Sequence, residues 1–362
     1  MQKSVEEIQT LGEIMRVAHD NLSIEHWDYL IGGSETETTL LRNRQSLDEI
    51  AFRPRVLNDV SSIDISTIFL GKECRMPVIL GPIGSAEQLD KEGMLPAAKA
   101  AAEFGVSIFK SSVTKPDIEE AAENSNAQLV LQLYVRGDQD WINQHVDRVE
   151  AAGYAGFCLT VDTAKYGRRE RDKIKNFRPT ARSKVTGTSY QSKLNWSVIK
   201  RLRQRTKLPL ILKGISTAED AIIAVDHGID IIYISNHGGR QLDHGRGSIE
   251  VVPEIVNVIG KKTKIIVDGG FYRGTDIVKA IALGADAVGL GRLYGFGLAA
   301  YGQAGVKRVL EILEEEMLSA MALLGVTRLK DLSPDYLHPA KPVRNAGLTS
   351  AFHLLDINGE QF

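Results

Sequence analysis

Residues 209–236 read PLILKGISTAEDAIIAVDHGIDIIYISN. The first run, 209–213, is apolar until Lys213 and predicts a strand buried on both faces. Thr217 then offers an N-cap, and Glu219 and Asp220 place negative charge in the first turn of a helix predicted over 217–227. A second apolar run, 231–236, predicts another strand. Strand, helix, strand is the crossover unit of a parallel sheet. Both strands turn polar at their C-terminal ends, at Lys213 and at Ser235-Asn236.

The same alternation continues in both directions. Further strands are predicted at 77–81, 106–109, 129–134, 157–162, 264–268 and 286–291, and further helices at 138–152, 195–206 and 275–283. Ser248 and Thr275 are read as N-caps like Thr217, with Asp276 in the turn after Thr275. Eight such units predict an α/β fold, a closed (β/α)8 TIM barrel over 77–325. A doubly wound sheet suits the pattern less well, because polar residues recur at the end of nearly every strand, as a single ring of site residues requires. Residues 1–70 are expected to form a helical N-terminal extension with turns at Gly32-Gly33 and Arg53-Pro54. Residues 326–362, with Pro334, Pro339 and Pro342, are expected to form a tail that wraps the barrel or meets a partner subunit. The whole chain, 1–362, is expected to be one domain. Residues 166–195, after the fourth strand, are rich in Arg, Lys, Ser and Thr without apolar periodicity. They predict a long loop, either a lid over a site or disordered surface.

Bulk composition narrows the function. The 362 residues are 43% hydrophobic and 25% charged, with a net charge of −2. That balance points away from nucleic acid. The two cysteines are too few for a disulfide framework. Cys158 lies in an apolar run and reads as core. Acidic residues stand near the N-terminus where a secretory leader is basic, and no apolar window is long enough to span a membrane. A cytoplasmic protein with no membrane anchor is expected.

The strand ends carry the chemistry. In chain order they supply Gly81 and Pro82; Lys110, Ser111 and Ser112; Gln132 and Tyr134; Thr160, Asp162 and Arg169; then Lys213. The sixth supplies Ser235, Asn236, His237 and Arg240. A buried parallel strand is a costly place for Lys, Asp and Arg unless they face a cavity or one another. His237 offers a titratable imidazole, and Arg240, three residues on, a fixed cation. A proton acceptor beside an anion clamp suits removal of a proton or hydride from an anionic small molecule. Asp268-Gly269-Gly270 and Gly291-Arg292, after the last two strands, resemble the phosphate site common in such barrels.

Several ordered blocks resemble the FMN-dependent 2-hydroxy-acid oxidase and dehydrogenase family, which includes glycolate oxidase, lactate oxidase and mandelate dehydrogenase. They are Ser235–Asp243, Phe52-Arg53-Pro54-Arg55, Gln132-Leu133-Tyr134, Leu159–Asp162, Gly167–Glu170, Leu212-Lys213-Gly214 and Asp268-Gly269-Gly270. The likeness covers roughly residues 5–335 and is nearest to mandelate dehydrogenase in places, such as Gly81-Pro82-Ile83-Gly84.

The resemblance implies FMN as cofactor, an (S)-2-hydroxy acid as substrate, and O2 or a quinone or carrier as electron acceptor. It implies that His237 takes a proton from the substrate while Asp162 stabilises the imidazolium. Arg240, Arg169 and Tyr29 would hold the substrate carboxylate, and Tyr134 its hydroxyl. Lys213 would meet the flavin N1–O2 edge. Pro82, Ile83, Gly84, Ser111, Gln132, Thr160 and Ser235 would meet the flavin ring, and Asp268, Gly269, Gly270, Gly291 and Arg292 the ribityl chain and phosphate. A homo-oligomer, a tetramer by analogy, is implied as well.

The chain also departs from relatives. Tyr272 stands where many carry a phosphate-binding arginine; either the neighbouring Arg273 compensates or FMN binds more weakly. Val113 and Gly84 are small, which predicts a substrate bulkier than glycolate. Loop 166–195 lacks the membrane-anchoring segment of mandelate dehydrogenase. Two other readings remain at this stage: a related FMN barrel acting on a modified amino acid or peptide, and a non-enzymatic phosphate-ligand sensor. The set His237, Arg240 and Arg169 argues for a small carboxylate.

Overall fold

The apolar strand residues divide between two cores. Ile79, Phe109, Val130, Cys158, Ile211, Tyr233, Ile266 and Ala287 cluster together, while Leu80, Ile108, Leu131, Leu159, Leu212, Ile232, Val267 and Val288 join a larger cluster with the helices. Successive strand side chains point to opposite faces. Each strand therefore faces a filled interior on one side and helices on the other, which is why its sequence is continuously apolar.

The structure is a computed structural model that describes residues 3–180 and 189–355. Its eight parallel strands are β1 (Val78–Leu80), β2 (Ser107–Ser111), β3 (Gln128–Leu133), β4 (Gly156–Thr160), β5 (Leu210–Ile215), β6 (Ile231–Ile234), β7 (Lys264–Asp268) and β8 (Ala287–Leu290). They pair in chain order, and β8 closes on β1 through Val288 opposite Val78. The TIM barrel read from the sequence is the observed fold.

Helix Ala218–Asp226 starts as expected, with the Thr217 hydroxyl accepting from the Asp220 N–H. Ser248 and Thr275 do not cap their helices; Gly247 and Arg273 hold those positions. The reason is local. The carboxylates of Glu250 and Asp276 turn back to accept from the N–H groups of Gly247 and Arg273 at 2.5 and 3.0 Å, which fixes the helix start at those residues.

Before the barrel lie α1 (Leu11–Asn21), α2 (Ile24–Ile31) and α3 (Thr38–Asp48). A hairpin, Thr67–Phe69 with Lys72–Cys74, sends Phe69 and Cys74 into the interior cluster. The tail strand Leu337–Pro339 pairs antiparallel with Ile50–Phe52, so the tail returns to the N-terminal extension. The expected loop 166–195 is not featureless: it carries the short helices Glu170–Ile174 and Ser189–Ser192. Its centre, 181–188, lies outside the described residues, as does the tail beyond 355. Among the described residues no helix is long and apolar enough to cross a membrane.

Candidate active site

Two residues beyond each interior apolar residue, the same strand face turns polar. Phe109 is followed by Ser111, Val130 by Gln132, Cys158 by Thr160, Ile211 by Lys213, Tyr233 by Ser235 and Ile266 by Asp268. The period of two thus lays a polar layer on an apolar one at the C-terminal end of the barrel. These groups satisfy one another. Gln132 Nε2 donates to Thr160 Oγ1 at 2.7 Å. Lys213 Nζ donates to Ser235 Oγ at 2.7 Å, which donates to Asp268 Oδ1 at 2.6 Å. Lys213 Nζ also lies 3.1 Å from Asp268 Oδ2. Burial alone would lower the Lys213 pKa, but the Asp268 and Asp162 carboxylates outweigh it and hold the ammonium above its usual range. A permanent cation therefore faces the cavity from β5.

His237 stands over this floor. Its backbone is left-handed, at φ +60°, and its N–H donates to Ser235 Oγ at 3.0 Å. Nδ1 lies 3.1 and 3.2 Å from the two oxygens of Asp162. Burial would raise the Asp162 pKa, but His237 and Lys213 outweigh it and keep the carboxylate ionised. An ionised acceptor fixes the proton on Nδ1. Nε2 is left as acceptor, 3.0 Å from Tyr134 Oη. Burial lowers the His237 pKa against the pull of Asp162, so the ring is neutral at pH 7. Burial also raises the Tyr134 pKa, so the phenol keeps its proton. A neutral imidazole whose Nε2 lone pair accepts from a phenol is a general base in its working form.

Three arginines meet here. Arg240 donates to the carbonyls of Tyr29, Leu30 and Gly32, and Arg292 to those of Ile31 and Gly32. Both hold the C-terminal end of α2, where the helix dipole is negative. Arg169 begins helix Glu170–Ile174, and its buried Nε has no partner among the described residues. Two of them approach the Tyr29 ring, with the Arg169 and Arg240 guanidinium carbons 5.8 and 5.0 Å from its centroid, and its hydroxyl donates to Gly84 O at 2.7 Å. Burial first, then the Arg169 and Arg292 charges, push the Arg240 guanidinium well below its ordinary pKa. Bringing an anion into this group would relieve that repulsion.

Tyr29, Pro82, Ile83, Gly84, Val113, Tyr134, Arg169, Lys213, His237, Arg240, Asp268, Gly269, Gly270, Gly291 and Arg292 all line one cavity. Asp162 stands behind His237. Ser111, Gln132, Thr160 and Ser235 are buried just outside the lining. Arg273 is not among the residues that line the cavity. Tyr272 lines the cavity, whereas Arg273 turns away to pair with Glu316 and to donate to Ala351 O at 3.2 Å. The Arg273 side chain leaves the cap of its helix on the side of the helical segment Arg292–Leu324, kinked at Tyr301 and Gly302, which carries Glu316.

Sequence reasoning missed Arg136, Tyr166 and Pro179, which also line the cavity. Arg136 had a readable signal, since it follows Tyr134 by one strand period. It also missed Asn43 and Arg44 of α3. Asn43 exchanges hydrogen bonds with Asn236, and Arg44 donates to Gly270 O at 3.1 Å. A Cβ on Gly270, whose φ is +83°, would lie 2.8 Å from Asn43 O, so the glycine allows α3 to approach.

The residues fit a flavin mononucleotide. Gln132 Oε1 is a buried acceptor with no partner among the described residues, which suits a ring N–H. Two glycines at positive φ and Arg292 gather at the ends of β7 and β8, which suits a phosphate.

A family model described as FMN-dependent dehydrogenase matches residues 18–339. The chain belongs to the FMN-dependent dehydrogenase family. Within this family, a peroxisomal (S)-2-hydroxyacid oxidase, GLO3, of Arabidopsis thaliana is 39% identical over 352 residues, covering 92% of this chain and 97% of its own. An L-lactate oxidase of Nostoc is 38% identical over 355 residues, covering 91% and 97%. Among solved structures, a soluble mutant of the membrane-associated (S)-mandelate dehydrogenase from Pseudomonas putida superposes with a TM-score of 0.86 at 33% identity, covering 91% and 99%. A mandelate oxidase with a bound difluoro-hydroxy-phenylpropionic acid gives 0.85 at 36% identity, covering 92% and 99%.

Proposed function

We propose that the chain oxidises an (S)-2-hydroxy acid to the 2-oxo acid, with His237 as the base. The observation that carries this reading is the Asp162–His237–Tyr134 line, which leaves a neutral Nε2 lone pair beside a cluster of arginines. Arg169 and Arg240 would hold the carboxylate, for which a planar guanidinium is matched. Tyr134 would meet the hydroxyl. His237 would take a proton from the substrate, and Asp162 would stabilise the resulting imidazolium. FMN, when bound, supplies a two-electron acceptor. Lys213 would hold its N1–O2 edge, and Arg292 with Gly269, Gly270 and Gly291 its phosphate end. The relatives named above carry hydroxy-acid or mandelate activities in their names, which supports the substrate class. Small residues at Gly84 and Val113 support a side chain larger than that of glycolate.

The acceptor of the electrons is O2 or a quinone or carrier. The two cysteines are buried and free, which suits the cytoplasm. A homo-oligomer, a tetramer by analogy with the family, belongs to the same reading.

The test is anaerobic. The yellow protein is mixed with glycolate, lactate, mandelate, phenyllactate and longer 2-hydroxy acids, and flavin absorbance is followed. Bleaching by at least one acid is expected, and readmitting air then separates oxidase from dehydrogenase. A flavin that stays yellow with all of them contradicts the reading.

A further inference from the structure

We infer that Tyr233 is a positioning residue: the face of its ring, beneath the cavity floor, holds the Lys213 ammonium up to the cofactor and so sets how readily the flavin takes electrons. The inference rests on the placing of Lys213 at the flavin N1–O2 edge and adds to it the group that supports the lysine.

The first observation is a costly residue in an apolar layer. Tyr233 is fully buried in the barrel interior among Ile79, Phe109, Val130, Ile211, Ile266 and Ala287. Its Oη has no hydrogen-bond partner among the described residues. Burial, and then the nearby Asp268 carboxylate, raise the pKa of the phenol, yet no hydrogen bond closes between the two. A buried hydroxyl without a partner costs stability, and an aliphatic side chain would fill this layer without that cost. The hydroxyl therefore does not account for the tyrosine.

The second observation is what the ring touches. Lys213 Nζ lies over it, 4.9 Å from the centroid. A cation over an aromatic face is attracted to the negative charge of that face, most strongly when both are out of water. The Lys213 side chain is only 5% exposed. Phe109 meets the same ring in a T-shaped contact, with centroids 5.7 Å apart at 87°, which fixes its tilt. Together with Ser235 Oγ at 2.7 Å and Asp268 Oδ2 at 3.1 Å, the ring forms a seat for the ammonium.

The third observation is room. In β1 and β8 the residues two beyond Ile79 and Ala287 are Gly81 and Gly289, where six other strands carry polar side chains. A Cβ on Gly289 would overlap Tyr233 Oη, and one on Gly81 would lie 3.1 Å from it. Both glycines line the cavity. They leave the height that a phenol needs to stand upright below the floor, so the ring and the glycines form one device.

The experiment measures the flavin midpoint potential and FMN retention of the holoenzyme for wild type, Lys213→Met, Tyr233→Phe and Tyr233→Leu. A cation beside N1–O2 stabilises the reduced flavin, so Lys213→Met is expected to lower the potential. Tyr233→Leu should lower it in the same direction and weaken FMN retention by about tenfold. Tyr233→Phe, which keeps the ring, should stay close to wild type in both. In the Lys213→Met background Tyr233→Leu should add nothing to the fall in potential, because it acts through the lysine. A Tyr233→Leu protein that loses thermal stability but keeps the wild-type potential overturns the inference, as does a further fall in the double variant. A potential unmoved by Lys213→Met overturns the placing of Lys213 and the inference with it; the hydroxy-acid reading is tested separately, by bleaching. If Tyr233→Leu does not fold, Tyr233→pentafluorophenylalanine decides. It keeps a six-membered ring in place and removes the negative charge of its face, so the potential should fall, and an unchanged potential overturns the inference.

Discussion

Gly214 and Asp162 stand so close that a Cβ on Gly214 would lie 2.7 Å from the Asp162 Cβ, and φ at Gly214 is +112°. The position therefore demands glycine for its backbone and for its lack of a side chain. Asp162 in turn orients the His237 ring. Gly214→Ala is expected to displace the carboxylate, to cost about 1–3 kcal/mol of stability, and to lower kcat by about tenfold or more. Kinetics and thermal unfolding check this. Unchanged kinetics would detach Gly214 from the base.

The pH profile follows from the state of His237. Its pKa lies below the ordinary 6.5, because burial outweighs the attraction of Asp162. The base is neutral above that depressed value, so kcat/KM should fall only on the acid side, with a midpoint below 6.5. Asp162→Asn removes the attraction and leaves the burial. The midpoint should move lower still, and the rate should drop by about a hundredfold or more, since the imidazolium loses its partner. A midpoint that rises in Asp162→Asn would contradict this assignment.

Asp276 ties α3 to the glycine loop after β7. It is buried, accepts from Arg44 at 2.7 and 2.9 Å, and accepts from the Tyr272 N–H at 3.0 Å. Burial would raise its pKa, but Arg44 outweighs burial and depresses it. Its contribution is therefore present above the unfolded value of 3.8 and is lost as pH falls through the lower folded value. Asp276→Asn leaves the buried Arg44 with the partly exposed Asp48 as its remaining anionic partner and should cost about 2–3 kcal/mol. Because Arg44 also holds Gly270 O, FMN retention on dilution should weaken too. Denaturant unfolding and flavin release measure the two effects.

Lys110 donates to the carbonyls of Ser111 and Thr114 at 2.9 and 3.0 Å, holding the loop that carries Val113. Burial pushes its ammonium down to about 8, while an unfolded lysine titrates near 10.5. Between these values the unfolded chain binds more protons, so this residue adds stability as pH rises. The stability of wild type relative to Lys110→Met should increase between about pH 7.5 and about pH 10. A difference that shrinks over that range would contradict the depressed value.

The barrel was legible because each parallel strand is apolar on both faces and then turns polar at its C-terminal end. That pattern is local, and it also placed His237, Lys213 and Asp268. What escaped depends on contacts between distant parts of the chain. Asn43 and Arg44 lie in a helix of ordinary polar composition, and nothing near them in sequence points to Asn236, Gly270 or Asp276. Tyr29 reads as helix packing beside Trp27; its place near Arg169 and Arg240 was available only through family resemblance. Arg273 was one of two answers to a missing arginine at its neighbour, but adjacent residues leave the backbone on different sides, and Glu316 claims it. The caps Ser248 and Thr275 were misplaced because these helices begin one and two residues earlier, after Gly247 and Arg273, whose own N–H groups donate back to Glu250 and Asp276.

The central claim is that His237 is the base for oxidation of a 2-hydroxy acid. The most direct measurement is the anaerobic bleaching rate of FMN-loaded His237→Ala beside that of wild type, using the best acid found. The account predicts that the variant keeps its flavin and its yellow colour while bleaching falls by at least about a hundredfold. A variant that binds FMN and bleaches at the wild-type rate would contradict it.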